Sequence, residues 1–235
     1  MEPILKCNNL GKNYGSIHAV DGISFEVAPG RIVGLLGPNG SGKTTLIKMI
    51  NGLLKPTRGE VLINGNRPGV ESKKIISYLP DSNYLDPDMT FQSSVSLFKD
   101  FYEDFEEERA YEMLSRLGID PKARFKTLSK GNKEKMQLIL TMSRQAKLYV
   151  LDEPIAGVDP ATRDYILQTI IGNYNPQASI IISTHLISDV EKILDDVLFL
   201  KNGQIVLYNS ADAVRDANGK SVDEVFREVF ACSAN

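Results

Sequence analysis

Residues 37–44, Gly-Pro-Asn-Gly-Ser-Gly-Lys-Thr, satisfy G-x-x-x-x-G-K-[ST] at every fixed position. Glycines at this spacing let the backbone curl until successive N–H groups face inward. Gly37, Asn39, Gly40, Ser41 and Gly42 are therefore read as a cradle for phosphate oxygens. A helix starting at Gly42 and running through Thr45 adds its positive dipole end to that cradle. Lys43 supplies a point charge for the outer phosphates, and the Thr44 hydroxyl suits Mg²⁺. A second chemical centre lies in Leu148-Tyr149-Val150-Leu151-Asp152-Glu153, where four largely apolar residues run into two carboxylates. Asp152 is a candidate Mg²⁺ holder through water. Glu153 is a candidate group for orienting and polarising an attacking water, since phosphoryl transfer is mostly positioning and charge stabilisation.

These groups need a scaffold that brings residues 37–44 beside residues 152–153. Short β-branched runs at Ile4 to Leu10, Ile17 to Val27, Arg31 to Leu36 and Glu60 to Ile63 predict a strand-rich first third. Within it, a buried strand feeds the glycine loop and a helix over Gly42 to Leu53. Phe91 to Tyr102, Glu106 to Leu117 and Lys130 to Ala146 read as helices without an intervening strand, which predicts a helical lobe over 85–147 inserted into an α/β core. The core resumes with Leu148 to Leu151 and Ser179 to Ser183, continuous apolar runs of the parallel-sheet kind, separated by a helix that Asp159 caps and Pro160 starts. Val197 to Leu200 and Gln204 to Leu207 flank Asn202-Gly203 as a closing hairpin. Val222, Val225, Phe226, Val229 and Phe230 predict a final amphipathic helix. The expected plan is one domain over 1–235. Its core and β subdomain cover 1–84 and 148–210, the lobe 85–147, and a helical tail 211–235.

With 235 residues and 42% hydrophobic side chains, the chain can bury one sizeable core. A net charge of −3, with 27 basic residues scattered among 30 acidic ones, leaves no basic stripe, so no nucleic-acid partner is expected. Met1-Glu2-Pro3 carries no basic n-region, and no apolar run approaches the ~18 residues that span a bilayer. Cys7 and Cys232 stand near opposite ends with no CxxC pair or histidine cluster, and are read as structural thiols of a reducing compartment.

With others at fitting places, these residues resemble the nucleotide-binding subunits of ABC transporters over nearly the whole chain. Tyr14, in Lys12-Asn13-Tyr14-Gly15, matches the family's adenine-stacking aromatic, with an ordinary buried tyrosine as the alternative. Leu128-Ser129-Lys130-Gly131-Asn132 is similar to the family's signature. Ser129 and Gly131 match it, and Ser129 doubles as a helix N-cap. Ala156-Gly157-Val158-Asp159 resembles the D-loop, and His185 after Ser183-Thr184 resembles the switch histidine at the γ-phosphate. His18 matches nothing and is assigned to the surface or to packing.

The resemblance implies a P-loop NTPase fold with a mixed, mostly parallel sheet, an N-terminal antiparallel β subdomain and an inserted helical lobe. It implies ATP and Mg²⁺ as cofactors, with Lys43, Glu153 and His185 in catalysis and Thr44, Asp152 and Asp81 around the metal. It also implies a second ATPase subunit, expected to be an identical copy, whose signature closes over the first subunit's nucleotide. A separate membrane permease would hold the pair on the cytoplasmic face of the cell membrane. Two departures stand out. Asp81 occupies the place of the family's glutamine after Ile76 to Pro80, and the nearest glutamine, Gln92, comes eleven positions later. A carboxylate about 6 Å from a γ-phosphate costs about 3 kcal/mol at an effective dielectric near 20, so Asp81 is expected either to hold a cation or to turn away. Lys130 replaces a glycine, and is expected to point away from the backbone donors or to add charge near the opposite subunit's phosphate. Signatures of the Leu-Ser-Lys-Gly-Asn kind are similar to those of small bacterial exporter subunits linked to peptide-antibiotic resistance or toxic-peptide efflux. A soluble ABC ATPase without a transport role and a regulatory module that no longer hydrolyses ATP remain open beside that reading.

Phe98, Phe101, Tyr102 and Phe105 recur at helical spacing. They are read as core or, with Tyr84 and Leu85, as a groove for the permease's cytoplasmic helix.

Overall fold

The computed structural model describes residues 2–231, so Met1 and Cys232 lie outside it. The first third is β1 (Leu5–Tyr14), β2 (Ile17–Val27), β3 (Ile32–Leu36), α1 (Lys43–Ile50), β4 (Arg58–Ile63), α2 (Val70–Ile75) and β5 (Ile76–Leu79). The helical insertion is α3 (Phe91–Phe101), α4 (Glu107–Ser115), a 3-10 turn at Phe125–Thr127 and α5 (Lys130–Met142). The chain then runs through β6 (Leu148–Asp152), α6 (Pro160–Asn173), β7 (Ser179–Thr184), α7 (Ile187–Val190), β8 (Asp196–Lys201), β9 (Gln204–Ser210), α8 (Ala211–Asn218) and α9 (Val222–Ala231).

Two sheets form. The smaller is antiparallel, in the order β2-β1-β4, and the larger runs β5-β6-β7-β3-β8-β9. All neighbours in the larger sheet are parallel except β8 and β9, so it is mixed and mostly parallel. This is the P-loop NTPase core with its antiparallel N-terminal subdomain and helical insertion.

Alternation along the strands divides the interior into two layers. Val33, Leu35, Leu148 and Val150 face Leu46, Ile47, Met49 and Ile50 of α1 and the small sheet. Ile32, Leu36, Tyr149 and Leu151 face the other way, onto α5, α6 and the insertion. Strands buried on both faces are apolar through their middle, and β3, β6 and β7 have no exposed residue, their polar positions Asp152, Ser179, Ser183 and Thr184 falling at the strand ends.

Helix starts follow local chemistry. Thr90 accepts from the Ser93 N–H at 3.1 Å to cap α3, and Asp159 accepts from the Thr162 N–H at 3.0 Å to cap α6, with Pro160 first in the helix. The three helices of the insertion are each shorter than expected, α4 by one residue at its start and two at its end, and two further helices appear. Helix α3 ends at Phe101 because Tyr102 turns extended, so Phe105 leaves the stripe and becomes core. Helix α5 stops at Met142 rather than Ala146, where the chain turns to bring Arg144 inward. Helices α2 and α7, of six and four residues, are too short for a periodic signal.

Arg144 is 2% exposed and joins the insertion to the core. Its Nε and Nη2 donate to both carboxylate oxygens of Asp104 at 2.9 and 3.0 Å. Nη2 also reaches the Lys74 carbonyl at 2.7 Å, Nη1 reaches those of Ile76 and Lys73, and the guanidinium lies 3.7 Å from the Tyr102 ring centre. The burial of Arg144 is thus matched by hydrogen bonds and a paired charge.

Candidate active site

The parallel strands β3, β6 and β7 end at one edge of the sheet, which gathers residues 37, 152–153 and 184–185 although they are far apart in sequence. After β3 the chain curls into the glycine loop. A Cβ on Gly42, at φ +109°, would meet the Ala19 carbonyl at 2.3 Å, and one on Gly37 would meet the Leu200 carbonyl at 2.5 Å. The loop is therefore clamped by backbone from β2 and β8, and only glycine fits at either place. Gly40, also left-handed, and Asn39 are exposed at its tip. The Ser41 hydroxyl is buried with no hydrogen-bond partner among the described residues, a free polar group inside the cradle. Lys43, Thr44 and Thr45 form the first turn of α1.

Lys43 is 6% exposed and lies across the loop, its Nζ donating to the Gly37 carbonyl at 2.7 Å and standing 3.3 Å from Glu153 Oε1. The other Glu153 oxygen, Oε2, lies 3.0 Å from His185 Nδ1. Three residues read as catalytic from sequence thus form one chain of contacts. Glu153 itself sits at φ +50°, in the left-handed region, and its N–H donates to the Ser183 carbonyl and to Ser183 Oγ, both at 3.0 Å. That conformation costs about 1 kcal/mol for a residue with a side chain, and the two bonds hold it. Ser183 is a site residue that carries no role in the sequence pattern, its place two residues before His185 being the available signal.

Asp152 is fully buried. Ser183 Oγ donates to its Oδ1, while Oδ2 has no partner among the described residues. Burial pushes its carboxyl above the usual range. The charges of Asp81 and Glu153 push the same way, against the hydrogen bond from Ser183 and the nearby Thr44 hydroxyl, which pull it down. A buried unpartnered carboxylate oxygen beside a threonine hydroxyl is a hard-oxygen donor set that fits Mg²⁺, which would supply the missing charge. A carboxyl raised in the folded state is favoured by protonation. Its ionisation weighs against the fold increasingly as pH rises from the unfolded value through the folded one. We expect Asp152→Asn, melted without nucleotide or metal, to be more stable than wild type at pH 7–8 and to converge with it in acid. Thermal denaturation across pH checks this, and an Asn variant less stable at neutral pH contradicts it.

Asp81 lies on the loop after β5 and lines a cleft with Glu153, Glu134, Gln137 and Lys130. It makes no ion pair among the described residues, yet its charge reaches Asp152. Its loop is held by a contact that sequence reading missed. Gln137, on α5 and 4% exposed, donates through Nε2 to Asn83 Oδ1 at 2.6 Å and accepts the Tyr84 N–H at 3.1 Å. Nothing in the helical pattern distinguishes Gln137 from an ordinary polar position.

The remaining residues form a second group. Ser129 caps α5, its hydroxyl accepting from the Asn132 N–H at 3.3 Å. Gly131 packs on α6, where an added Cβ would meet Thr162 Oγ1 at 3.3 Å. Asp159 is held by the Thr162 hydroxyl and N–H, which keep its carboxyl below the usual range. Lys130 reaches the Gly157 carbonyl of its own chain at 3.3 Å and lies 3.7 Å from Glu134. Tyr14, 49% exposed, sits at the β1–β2 turn with Lys12 over its ring, so it is not a buried core tyrosine. His18 is exposed and contacts Asn13.

Residues 20–156 match the family model described as ABC transporter. The chain is 32% identical over 209 residues to the SkfA peptide export ATP-binding protein SkfE of Bacillus subtilis, covering 86% of this chain and 87% of that one. It is 31% identical over 211 residues to the linearmycin resistance ATP-binding protein LnrL of the same organism, covering 86% and 68%. Among solved structures, one described as the ATP binding subunit of an ABC transporter superposes with a TM-score of 0.86 at 30% identity, over 96% of this chain and 98% of that one.

Proposed function

Because the chain belongs to the ABC transporter ATP-binding family, we propose that it hydrolyses Mg²⁺-ATP in sites shared between two subunits and couples this to export through a separate membrane permease. The observation that carries the reading is the contact chain from Lys43 through Glu153 to His185 at the end of the phosphate loop, with Asp152 beneath it.

Within one subunit, the inward N–H groups of 37–44 and the start of α1 bind the phosphates, and Lys43 transfers its hydrogen bonds from loop carbonyls to phosphate oxygens. Thr44 and Asp152 would hold Mg²⁺, with Asp81 beside them, and the bound ion would supply positive charge next to the phosphates. Glu153 accepts a hydrogen bond from the attacking water, and His185 fixes the carboxylate on the other side. Tyr14 offers its exposed ring to the base.

Ser129, Gly131 and Asp159 face the nucleotide of a second copy. The capped start of α5 presents free N–H groups and a positive dipole end to the opposite γ-phosphate. ATP then bridges the two halves and favours the closed pair, and hydrolysis releases it. Lys130 is spent on its own subunit's Gly157 rather than aimed across.

Tyr84, Phe98, Tyr102 and Arg144 line an open groove between the insertion and the core, and the 74% exposed Phe101 stands beyond that lining. That groove suits an amphipathic helix of the permease, and a chain docked there would lie on the cytoplasmic face of the membrane. Leu85 is partly buried against the core and does not line the groove. Among the described residues no helix is long and apolar enough to cross a membrane, so the pore is assigned to the other polypeptide. Export of a peptide is favoured by the similarity to the SkfA peptide export protein SkfE, and the similarity to the linearmycin resistance protein LnrL is in keeping with a role in resistance.

Shared sites are tested by mixing two inactive variants. Lys43→Ala spoils the loop and Ser129→Arg spoils the facing surface, so neither hydrolyses ATP alone. A mixed pair retains one intact site, made from the loop of the second chain and the signature of the first. We expect the mixture to regain ATPase activity. A mixture as inactive as its components contradicts the shared site.

A further inference from the structure

Arg163 lies in the first turn of α6, just after the turn of residues 156–159, and points at the segment that follows His185. Its Nη1 lies 2.6 Å from Asp189 Oδ2 in α7, and its Nη2 approaches the Val158 carbonyl at 3.5 Å. Its Nε is buried with no partner among the described residues. Both side chains are about a quarter exposed, at 25% and 28%, so the pair is screened less than a bridge on the open surface.

What Asp189 belongs to gives the pair its meaning. Four residues upstream, His185 touches Glu153, and the turn between is set by the Leu186 N–H donating to Thr184 Oγ1 at 3.0 Å. Helix α7 is seated by the buried Ile187 and Val190. From the tail, Arg215 Nη2 donates to the Glu191 carbonyl at 2.7 Å, and Glu191 Oε2 accepts the Asp223 N–H at 3.1 Å. The switch segment is thus held on one side by the tail and on the other by Arg163.

We propose that Arg163 is a positioning residue that ties the 156–159 turn to the His185 segment, so that a second copy of this chain seated against that turn holds His185 in the contact with Glu153 that the single chain already makes. The inference rests on the shared-site reading. A partner pressing on residues 156–159 steadies the start of α6, Arg163 carries the restraint to Asp189, and the short α7 passes it to His185. Each subunit's own site is then steadied by its neighbour's arrival, and the two sites of a pair act together rather than independently.

The chain has two histidines, His18 and His185, so the imidazole ¹⁵N–¹H signals give one probe and one internal reference. The experiment compares these signals and steady-state ATPase kinetics in wild type, Arg163→Ala, Asp189→Ala, the double variant and Arg163→Lys. The result expected is that each alanine variant displaces the His185 signals and leaves those of His18 in place. Each should also lower kcat about fivefold with little change in KM for ATP. The double variant should go no further than either single one, and Arg163→Lys should keep most of the wild-type behaviour. His185 signals unmoved in both single variants, or losses that multiply in the double, overturn the proposal. The resonance readout needs no turnover, so an inactive mixture of Lys43→Ala and Ser129→Arg would count against the shared site without deciding the role of Arg163.

Discussion

Glu153→Gln is expected to lower the ATPase rate about a thousandfold, within the range for loss of a positioned base, while leaving ATP binding nearly intact. The amide keeps the shape of the side chain and, through Oε1, can still accept from Lys43, which stands 3.3 Å away in the wild type. It also keeps the backbone bonds to Ser183 that hold φ at +50°. What it loses is the negative charge that polarises water and attracts the His185 ring. With hydrolysis blocked and binding preserved, the bridged pair should accumulate. Light scattering with Mg²⁺-ATP should show a dimer for the variant and a smaller or transient population for wild type. A variant that turns over within tenfold of wild type would remove Glu153 from the role of water-orienting group.

The second large effect concerns the fold. Arg144→Met is expected to destabilise the protein by about 3–5 kcal/mol, the range for breaking a buried ion pair from one side. The substitution leaves Asp104 without its forked partner and the carbonyls of Lys73, Lys74 and Ile76 without their common donor. Arg144→Lys keeps the charge but not the planar fork, and should fall between the two. Urea unfolding followed by circular dichroism measures both. A loss below about 1 kcal/mol for Arg144→Met would mean that water or neighbouring side chains replace the guanidinium without penalty.

Features that depend on local spacing were legible in the sequence. The loop at 37–44, the strand running into Asp152 and Glu153, and the caps at Ser129 and Asp159 each follow from residues a few positions apart, and the structure builds them as read. The apolar runs at 148–151 and 179–183 announced strands buried on both faces. Features that depend on which distant loops meet were not legible. Arg144 resembles any charged residue after a helix, and its burial is decided by the α2–β5 carbonyls some seventy positions earlier. Gln137 and Asn83 are ordinary polar residues until α5 packs against the loop after β5. Phe105 fits the aromatic stripe by number, yet an extended Tyr102 breaks the period before it. Lys130 was expected either to turn from the backbone donors or to face across the pair. Neither reading anticipated its own Gly157, because a flexible side chain's target lies in the tertiary fold.

The strand order carries a temporal meaning. Strand β3, which launches the phosphate loop, pairs only with β7 and β8 in the larger sheet, and both lie more than 140 residues further along the chain. While a ribosome is still making residues 37–178, β3 lacks both of its sheet neighbours, and of the two carbonyls that clamp the glycine loop only that of Ala19 exists, the Leu200 carbonyl that clamps Gly37 being still to come. Closing contacts across so long a stretch is slow as well as late. The nascent chain therefore cannot grip nucleotide before most of the polypeptide has emerged, and the catalytic centre matures among the last parts of the molecule.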